Sequence, residues 1–291
     1  MRRRVVWLLI AACAAPPAAA QCRVPAGSDE GKLLVFHTVP VVYSPAEVSP
    51  PPPTTELRIG IEGEPLPAPA ASLRQTSLCF TSKQENTALT PAFGRPRLMI
   101  SLPMGFAVDG SFLPTVHVAE ATASAASIAA SFTTRLRLLP EPDASELMLR
   151  AYTSAGSVRG PITCDRAALQ QTSSKEPCYG TTPSNDTFRP SVSGLELIAG
   201  ALVDGGRVSV YAGGGADRIA SGFQVGFTDG LGHIDTTRYQ LTKPLVAAAV
   251  LAGASLRWAS RFDAGLQLYS VPAHVTMVRV NVGYWLRLGS R

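Results

Sequence analysis

The hydrophobic and polar positions in the last segment of the chain alternate without interruption. One set of positions is apolar apart from one tyrosine: Val278, Val280, Val282, Tyr284, Leu286 and Leu288. The intervening set includes two arginines and an asparagine: Met277, Arg279, Asn281, Gly283, Trp285 and Arg287. Since successive side chains of a strand point to opposite faces, the pattern predicts a strand with one apolar and one polar face. Strands of this kind build membrane-spanning barrels, whose apolar face meets lipid.

The same two-residue period recurs from Glu56 onward. The alternating segments are 57–61, 97–106, 127–138, 147–152, 195–203, 207–212, 223–228, 245–258 and 262–270. Turn-forming residues separate them, and turns are predicted at 109–110, 204–206 and 213–217. About ten residues, tilted by about 40–45°, cover roughly 25 Å, which is the height of an outer-membrane apolar band. We therefore predict an all-β fold, an antiparallel transmembrane β-barrel of about 10–12 strands, in which the alanine-rich stretch 121–130 is strand rather than helix.

The start of the chain has the features of a secretory signal peptide. Arg2 to Arg4 form a positive region, Val5 to Ala15 an apolar region, and Ala18 to Ala20 a small-residue cleavage site before Gln21. The apolar run is too short to span a membrane as a helix. Lipid attachment at Cys13 is the alternative, because the residues before it resemble a lipid-attachment box.

These features divide the chain into three parts. Residues 1–20 are the predicted signal peptide, 21–55 an exported segment, and 56–291 the outer-membrane barrel. The exported segment contains a β-prone run at 32–43 and a proline-rich connector at 44–55, which is interpreted as a stiff linker. The predicted location is the bacterial outer membrane.

Composition supports a surface that meets lipid. Only 16% of the residues are charged, while 46% are hydrophobic and must be covered by a core or by lipid. A soluble β-sandwich is the alternative, although its outward faces would carry more charge, with lysines on edge strands. The net charge of +5 comes almost wholly from arginines scattered along the strands. This distribution gives no support to nucleic-acid binding, which uses clustered basic patches.

Four cysteines remain after signal removal: Cys22, Cys79, Cys164 and Cys178. An even number in an exported chain favours disulfides. Cys164 and Cys178 flank a polar segment, so they are predicted to pair, and the pair Cys22–Cys79 follows by elimination. A metal site is the rival interpretation, but no CxxC motif or histidine accompanies the loop cysteines.

The C-terminal pattern resembles the assembly signal of bacterial outer-membrane β-barrels. The residues that carry this resemblance are Asn281, Gly283, Leu286 and Leu288, although the usual final aromatic residue is missing. The resemblance implies contact with outer-membrane lipid and recognition by the outer-membrane insertion machinery. Segments 160–164, 177–181 and 269–273 are also similar to uncharacterised barrel proteins of Gram-negative bacteria, a group without an assigned activity.

No catalytic motif accompanies the barrel pattern. The histidines are His37, His117, His233 and His274, and none lies in the His-x-Ser-Asn-Gly neighbourhood of outer-membrane phospholipases. Gly-x-Ser-x-Gly, His-Glu-x-x-His and phosphate-loop motifs are also missing. We therefore predict that the chain is not an enzyme and uses no cofactor or metal.

Seven arginines form the candidate functional cluster: Arg97, Arg135, Arg137, Arg150, Arg257, Arg279 and Arg287. Facing one lumen, they would favour anions or bind lipid phosphate. Alternatively, they pair with Glu196, Asp263 and other carboxylates and plug a narrow barrel. The leading hypothesis is a passive channel or small-solute transporter. The second is a structural or surface-binding barrel with a closed lumen, and the third is a lipid-modifying enzyme. Solute and oligomeric state are not predicted.

Overall fold

Antiparallel strands close into a barrel of 10 strands in the computed structural model. The structure describes residues 22–46, 55–74, 92–118, 120–136, 138–139, 143–258 and 261–288. The strands are β1 (Cys22–Val24), β2 (Glu56–Pro65), β3 (Ala92–Ser101), β4 (Phe106–Val118), β5 (Ala121–Leu136), β6 (Ala144–Gly160), β7 (Asp186–Val203), β8 (Val208–Gln224), β9 (Phe227–Thr228), β10 (Ile234–Asp235), β11 (Arg238–Leu241), β12 (Leu245–Trp258), β13 (Phe262–Val271) and β14 (Val275–Arg287). Helix α1 spans Asp29–Val41, and short 3₁₀ turns lie at Ala71–Arg74 and Pro103–Gly105. The predicted fold class and strand number are confirmed.

The barrel wall consists of β2 to β8 followed by β12, β13 and β14. Each wall strand pairs antiparallel with its neighbours, and β14 returns to pair with β2 from Val280 opposite Gly63 to Arg287 opposite Glu56. Closure leaves no wall strand with an open edge, so the backbone hydrogen-bonding groups are satisfied within the wall.

The two ends of the wall differ in their connections. At one end, which we call the turn end, β2 begins and β14 finishes, and the connections are short, as at 102–105 and 204–207. At the opposite end, the loop end, the long connections 161–185 and 225–244 leave the wall. There β11 pairs with the end of β8, and β1 pairs parallel with β11.

The wall is apolar outside and polar inside, as β14 shows. Val278, Val280 and Val282 point outward and are 45%, 52% and 47% exposed, whereas Arg279 and Asn281 point inward and are 0% and 2% exposed. Other outward side chains that are large, apolar and exposed include Ile59, Ile61, Leu98, Phe112, Ile128, Leu149, Leu195, Leu197, Val246, Leu266 and Leu268. This outward band encircles the wall, and the closed topology excludes the soluble sandwich.

Two predicted turns are wrong, because their residues lie inside strands. Gly213–Asp217 belongs to β8 and Asp109–Gly110 to β4, whereas 204–206 is a turn with positive φ angles. Gly215 in β8 is extended, and a methyl group there would collide with the backbone of Leu195 on β7. Glycine therefore marks a close strand approach rather than a reversal. The alanine-rich stretch 121–130 is strand, as predicted.

Candidate functional site

Helix α1 and the extended stretch after it, up to Ala46, lie inside the barrel, and β1 before them lies at the loop end. The lumen and this segment are therefore the candidate functional site. The buried residues Val35 and Val39 of α1 belong to one apolar cluster, together with inward side chains of wall strands on different sides of the barrel. These wall residues include Phe93, Ala125, Tyr152, Val192, Ile219, Tyr269 and Met277. A segment that meets so many wall strands occupies the lumen. We call residues 22–46 the plug.

The plug contains a helix where the β-prone run 32–43 was predicted, and that prediction is wrong. Ser28 caps the helix by accepting a hydrogen bond from the Gly31 N–H at 3.1 Å, and Asp29 and Glu30 occupy the first turn. Both features stabilise a helix N-terminus. In addition, a closed wall offers no strand edge, so a segment in the lumen satisfies its backbone best by its own helical hydrogen bonds.

Beyond α1 the plug is extended, and the wall holds its backbone. The carbonyl oxygens of Tyr43, Ser44 and Ala46 each accept a hydrogen bond from a wall arginine. The donors are Arg95 Nη2 at 3.1 Å, Arg279 Nη1 at 2.5 Å and Arg97 Nη1 at 2.5 Å, respectively.

A carboxylate completes this set of backbone contacts. The Ala46 N–H donates to Glu62 Oε2 at 2.9 Å, and Glu62 Oε1 accepts from Arg95 Nε at 2.5 Å. Asp109 pairs with Arg97 from the other side, at 2.7 Å. Every one of these wall side chains is buried. We call Glu62, Arg95, Arg97 and Arg279 the clamp.

A second ion-pair network lies nearer the turn end. Arg58 on β2 donates from Nε and Nη2 to the carboxylate of Asp263 on β13, at 2.9 and 2.5 Å, and from Nη2 to Asn281 Oδ1 at 2.9 Å. Trp285 Nε1 also donates to Asp263. Gly283 lies beneath this network, because a methyl group there would collide with the Arg58 guanidinium.

Further buried polar side chains pair with one another inside the barrel. Tyr152 and Tyr269 donate their hydroxyl protons to the two carboxylate oxygens of Asp217, at 2.6 and 2.5 Å. Arg150 pairs with Glu196 at 2.6 Å. These groups come from β6, β7, β8 and β13, so they tie together strands on different parts of the wall.

The structure separates the seven arginines predicted to face the lumen. Arg97, Arg150 and Arg279 are buried lumen residues, whereas Arg135 and Arg287 reach into the open at the turn end, where their strands finish. The guanidinium of Arg257 lies over the Trp285 ring, 4.8 Å from its centre. Arg137 lies outside the described residues.

Two buried lumen arginines were missed by the sequence prediction, namely Arg58 and Arg95. Arg95 lies two positions before Arg97 and shares its face of β3, and Arg58 separates the alternating apolar residues Leu57 and Ile59. The strand period could have found both. The predicted carboxylate partners Glu196 and Asp263 do pair with arginines, but Asp263 pairs with the omitted Arg58.

The loop end carries a disulfide and a buried carboxylate that fasten the long connections. Cys164 and Cys178 are bonded, as predicted. Cys22 is also disulfide-bonded, while its predicted partner Cys79 lies outside the described residues, so that pairing stays a prediction. Asp186 is fully buried and accepts hydrogen bonds from the backbone and hydroxyl of Thr163, from Ser184 and from the Gly226 N–H.

The remaining residues of the C-terminal pattern and the histidines are spread over the structure. Leu286 points outward on β14, and Leu288 follows the strand, where its N–H donates to the Thr55 carbonyl. His117 is exposed on β4, His274 lies in the turn after β13, and His37 lies on α1.

His233 lies in the exposed connection between β9 and β10 and bonds through Nδ1 to Asp229, at 2.9 Å. The small burial cost raises the pKa of Asp229, but hydrogen bonds from the backbone and ring of His233 and from the Leu231 N–H outweigh it. The net result is a lowered pKa of Asp229.

No helix in the described ranges is both long enough and apolar enough to cross a membrane. Within the same ranges, no group of three or more His, Cys, Asp or Glu side chains is arranged to hold a metal ion.

Comparisons with known proteins add little to this picture. No protein-family model matches the chain, and no curated protein is significantly similar to it. Among solved structures, the transport unit of the autotransporter AIDA-I from Escherichia coli is 9% identical, with 92% of this chain and 100% of that chain covered and a TM-score of 0.30. Ail, the attachment invasion locus protein of Yersinia pestis, solved with the heparin analogue sucrose octasulfate, is 9% identical, with coverages of 80% and 99% and a TM-score of 0.23. Overlaps this loose do not bear on function.

Proposed function

We propose that this chain is an outer-membrane β-barrel whose lumen is closed by its own plug, and that it acts through its loop end. The encircling band of exposed apolar side chains supports placement in a membrane, because lipid would cover it without a second protein layer. The long, disulfide-bearing connections support an outward-facing loop end, since turns on the periplasmic side are short in such barrels. The predicted signal peptide would supply export, and the insertion machinery would recognise the C-terminal strand.

The full burial of lumen side chains carries the proposal of a closed lumen. Arg58 near the turn end and Glu62 and Arg95 nearer the loop end are exposed by 1%, 1% and 0%, respectively. In a water-filled channel such side chains would be wetted, whereas here they are covered by the plug and by one another. A closed barrel of this kind is the structural or surface-binding alternative derived from the sequence.

Planar-bilayer conductance tests the closed lumen. The purified full chain should give no steady current. The double variant Val35→Asp/Val39→Asp, which places two carboxylates on the buried face of α1, should expel the plug and allow current. Leu231→Asp, at a 60% exposed position of the 225–244 connection, is the matched control and should stay silent. Steady conductance by the unmodified chain would overturn the proposal.

A channel or small-solute transporter is the second candidate, and it requires the plug to leave the lumen. The ring of clamp arginines supports it, because an emptied lumen would present several guanidinium groups to anions. Brief, anion-selective openings of the unmodified chain, in which the plug leaves the lumen without a substitution, would favour this candidate as a gated activity.

Membrane placement and the lack of an enzymatic role are parts of the same proposal. If the folded chain stays dispersed in buffer without detergent, membrane placement is overturned. A histidine and a serine that hydrolyse lipid together must lie within hydrogen-bond reach of one another. On neighbouring strands, His117 is exposed on β4, whereas Ser127 points inward and bonds to Ser111 at 2.7 Å. Lipid hydrolysis that is lost in the His117→Ala variant would contradict a non-enzymatic role.

A further inference from the structure

The clamp recognises main-chain atoms of the plug. Three guanidinium groups donate to consecutive or near-consecutive carbonyl oxygens, those of Tyr43, Ser44 and Ala46, and one carboxylate accepts the Ala46 N–H. Every residue of an extended polypeptide offers the same carbonyl and N–H groups. These contacts therefore do not depend on the sequence of the bound segment.

Within this stretch of the plug, the clamp recognises one side chain, that of Tyr43. The Tyr43 ring lies between the guanidinium groups of Arg95 and Arg279, at 4.1 and 4.8 Å from its centre. Cation–π attraction of this kind requires an aromatic face but not the phenolic hydroxyl. Accordingly, the Tyr43 hydroxyl and the Ser44 hydroxyl are buried and have no hydrogen-bond partner among the described residues.

The described chain on either side of the bound stretch lies at opposite ends of the barrel. Upstream, the chain passes through α1 to β1 at the loop end, and downstream Thr55 enters the wall at the turn end. The bound stretch therefore belongs to a chain whose described parts reach the loop end on one side, through α1 and β1, and the turn end on the other, at Thr55.

We propose that Glu62, Arg95, Arg97 and Arg279 form a binding site for an extended polypeptide that carries an aromatic residue, occupied in this structure by residues 43–46. The site takes peptide in place of a small solute, because its donors and acceptor are spaced for successive backbone groups. This inference does not rest on the membrane role, since it can be measured on the detergent-solubilised chain without a bilayer.

The test uses the full chain with Tyr43→Ala, which empties the aromatic slot and weakens the resident segment. Fluorescence anisotropy measures binding of a labelled synthetic peptide with the sequence of residues 29–46. Three altered peptides are compared with it: one with alanine at the Tyr43 position, one with Ser44→Ala, and one with an N-methyl group at Ala46. The unmodified chain, whose own plug occupies the site, is the matched control and should bind far less peptide.

Saturable binding is expected, and the peptide with Ser44→Ala should bind as the parent does. Removing the aromatic ring at the Tyr43 position should weaken binding by about tenfold or more. Blocking the Ala46 N–H, which donates to Glu62, should weaken binding by about the same factor. In the chain that also carries Glu62→Ala, the parent and N-methylated peptides should bind alike, because the acceptor of that hydrogen bond has gone.

Three outcomes would overturn the site. The first is that the Tyr43→Ala chain shows no saturable binding of the peptide, and the second is that N-methylation of the peptide does not change its affinity. The third is that the unmodified chain binds the peptide equally well, because the peptide would then bind outside the clamp. If the Tyr43→Ala chain lacks the compact, heat-modifiable gel band of a folded barrel, Val39→Ala replaces it, since this change loosens α1 and leaves the clamp intact. The closed-lumen proposal is tested separately, by conductance.

Discussion

Arg58 on β2 and Asp263 on β13 form a bidentate ion pair that passes over Gly283, on the strand between them. Their sequence separation is 205 residues, and the closing of the barrel brings them together. Gly283 leaves room for the guanidinium, and Asn281 accepts a hydrogen bond from it. Two residues of the C-terminal pattern therefore have structural roles in the finished wall, beside the predicted role in assembly.

Gly283→Ala should destabilise the barrel by about 1–3 kcal/mol, the usual range for overpacking. The new methyl group would collide with the Arg58 guanidinium and push it away from Asp263. Urea unfolding in detergent, followed by gel mobility without boiling, measures the loss. Gly200→Ala is the control, because its methyl group would meet ordinary contacts at 3.5 and 3.6 Å. Equal losses in the two variants would contradict this role for Gly283.

Removing one member of the Arg58–Asp263 pair should cost more than removing both. Asp263→Leu leaves a buried guanidinium without its counter-charge, a change typically worth about 3–5 kcal/mol. The double variant Arg58→Met/Asp263→Leu removes both charges and should recover part of that loss. The same urea titration measures the single variants Asp263→Leu and Arg58→Met and the double variant. Strictly additive losses would show that the two residues do not act as a pair.

Asp186→Ala should release the connections at the loop end and leave the wall intact. The carboxylate accepts hydrogen bonds from residues on both sides of the disulfide and from Gly226, so its loss leaves several buried donors unsatisfied. Limited proteolysis with mass spectrometry should show faster cleavage in 161–185 and in 225–244. Glu176→Ala, at an exposed position of the same connection, is the control. Faster cleavage in only one connection would argue against a joint fastening.

The double variant Cys164→Ser/Cys178→Ser should make the segment 165–177 sensitive to protease, while the heat-modifiable gel band persists. In the chain-entropy model, closing a loop of about 15 residues stabilises it by about 3 kcal/mol. The disulfide lies beyond the ends of β6 and β7, so the wall hydrogen bonds do not depend on it. Loss of the gel band would mean that the disulfide supports the wall itself.

The strand pattern predicted the wall well because it reports one physical constraint, the separation of an apolar outward face from a polar inward face. In β14 the predicted outward and inward positions agree with the structure from Met277 to Asn281, whereas Arg287, predicted to point inward, is exposed where the strand finishes. The same pattern failed at Gly213–Asp217, where turn chemistry was assigned to glycines that only allow two strands to approach closely. Local composition does not distinguish these two uses of glycine.

The plug was not predicted because its conformation depends on the barrel around it. The run 32–43 has β-prone side chains, and only the closed wall, which has no edge to offer, together with the Ser28 cap makes it a helix. The clamp was missed for a related reason. Arg95 and Arg97 lie on β3 and Arg279 lies on β14, far away in sequence. The group that all three contact is the plug backbone, which has no recognisable side-chain motif.

The pairing of β14 with β2 also determines when the barrel can first close. The strand that begins the cylinder and the strand that completes it stand at opposite ends of the barrel's sequence, so no partly synthesised or partly exported chain can seal itself. Until the last dozen or so residues pair with β2, every intermediate has two open strand edges, whose unpaired backbone N–H and C=O groups can pair with other chains. The pairing of β14 with β2 is therefore the single step that removes both open edges at once.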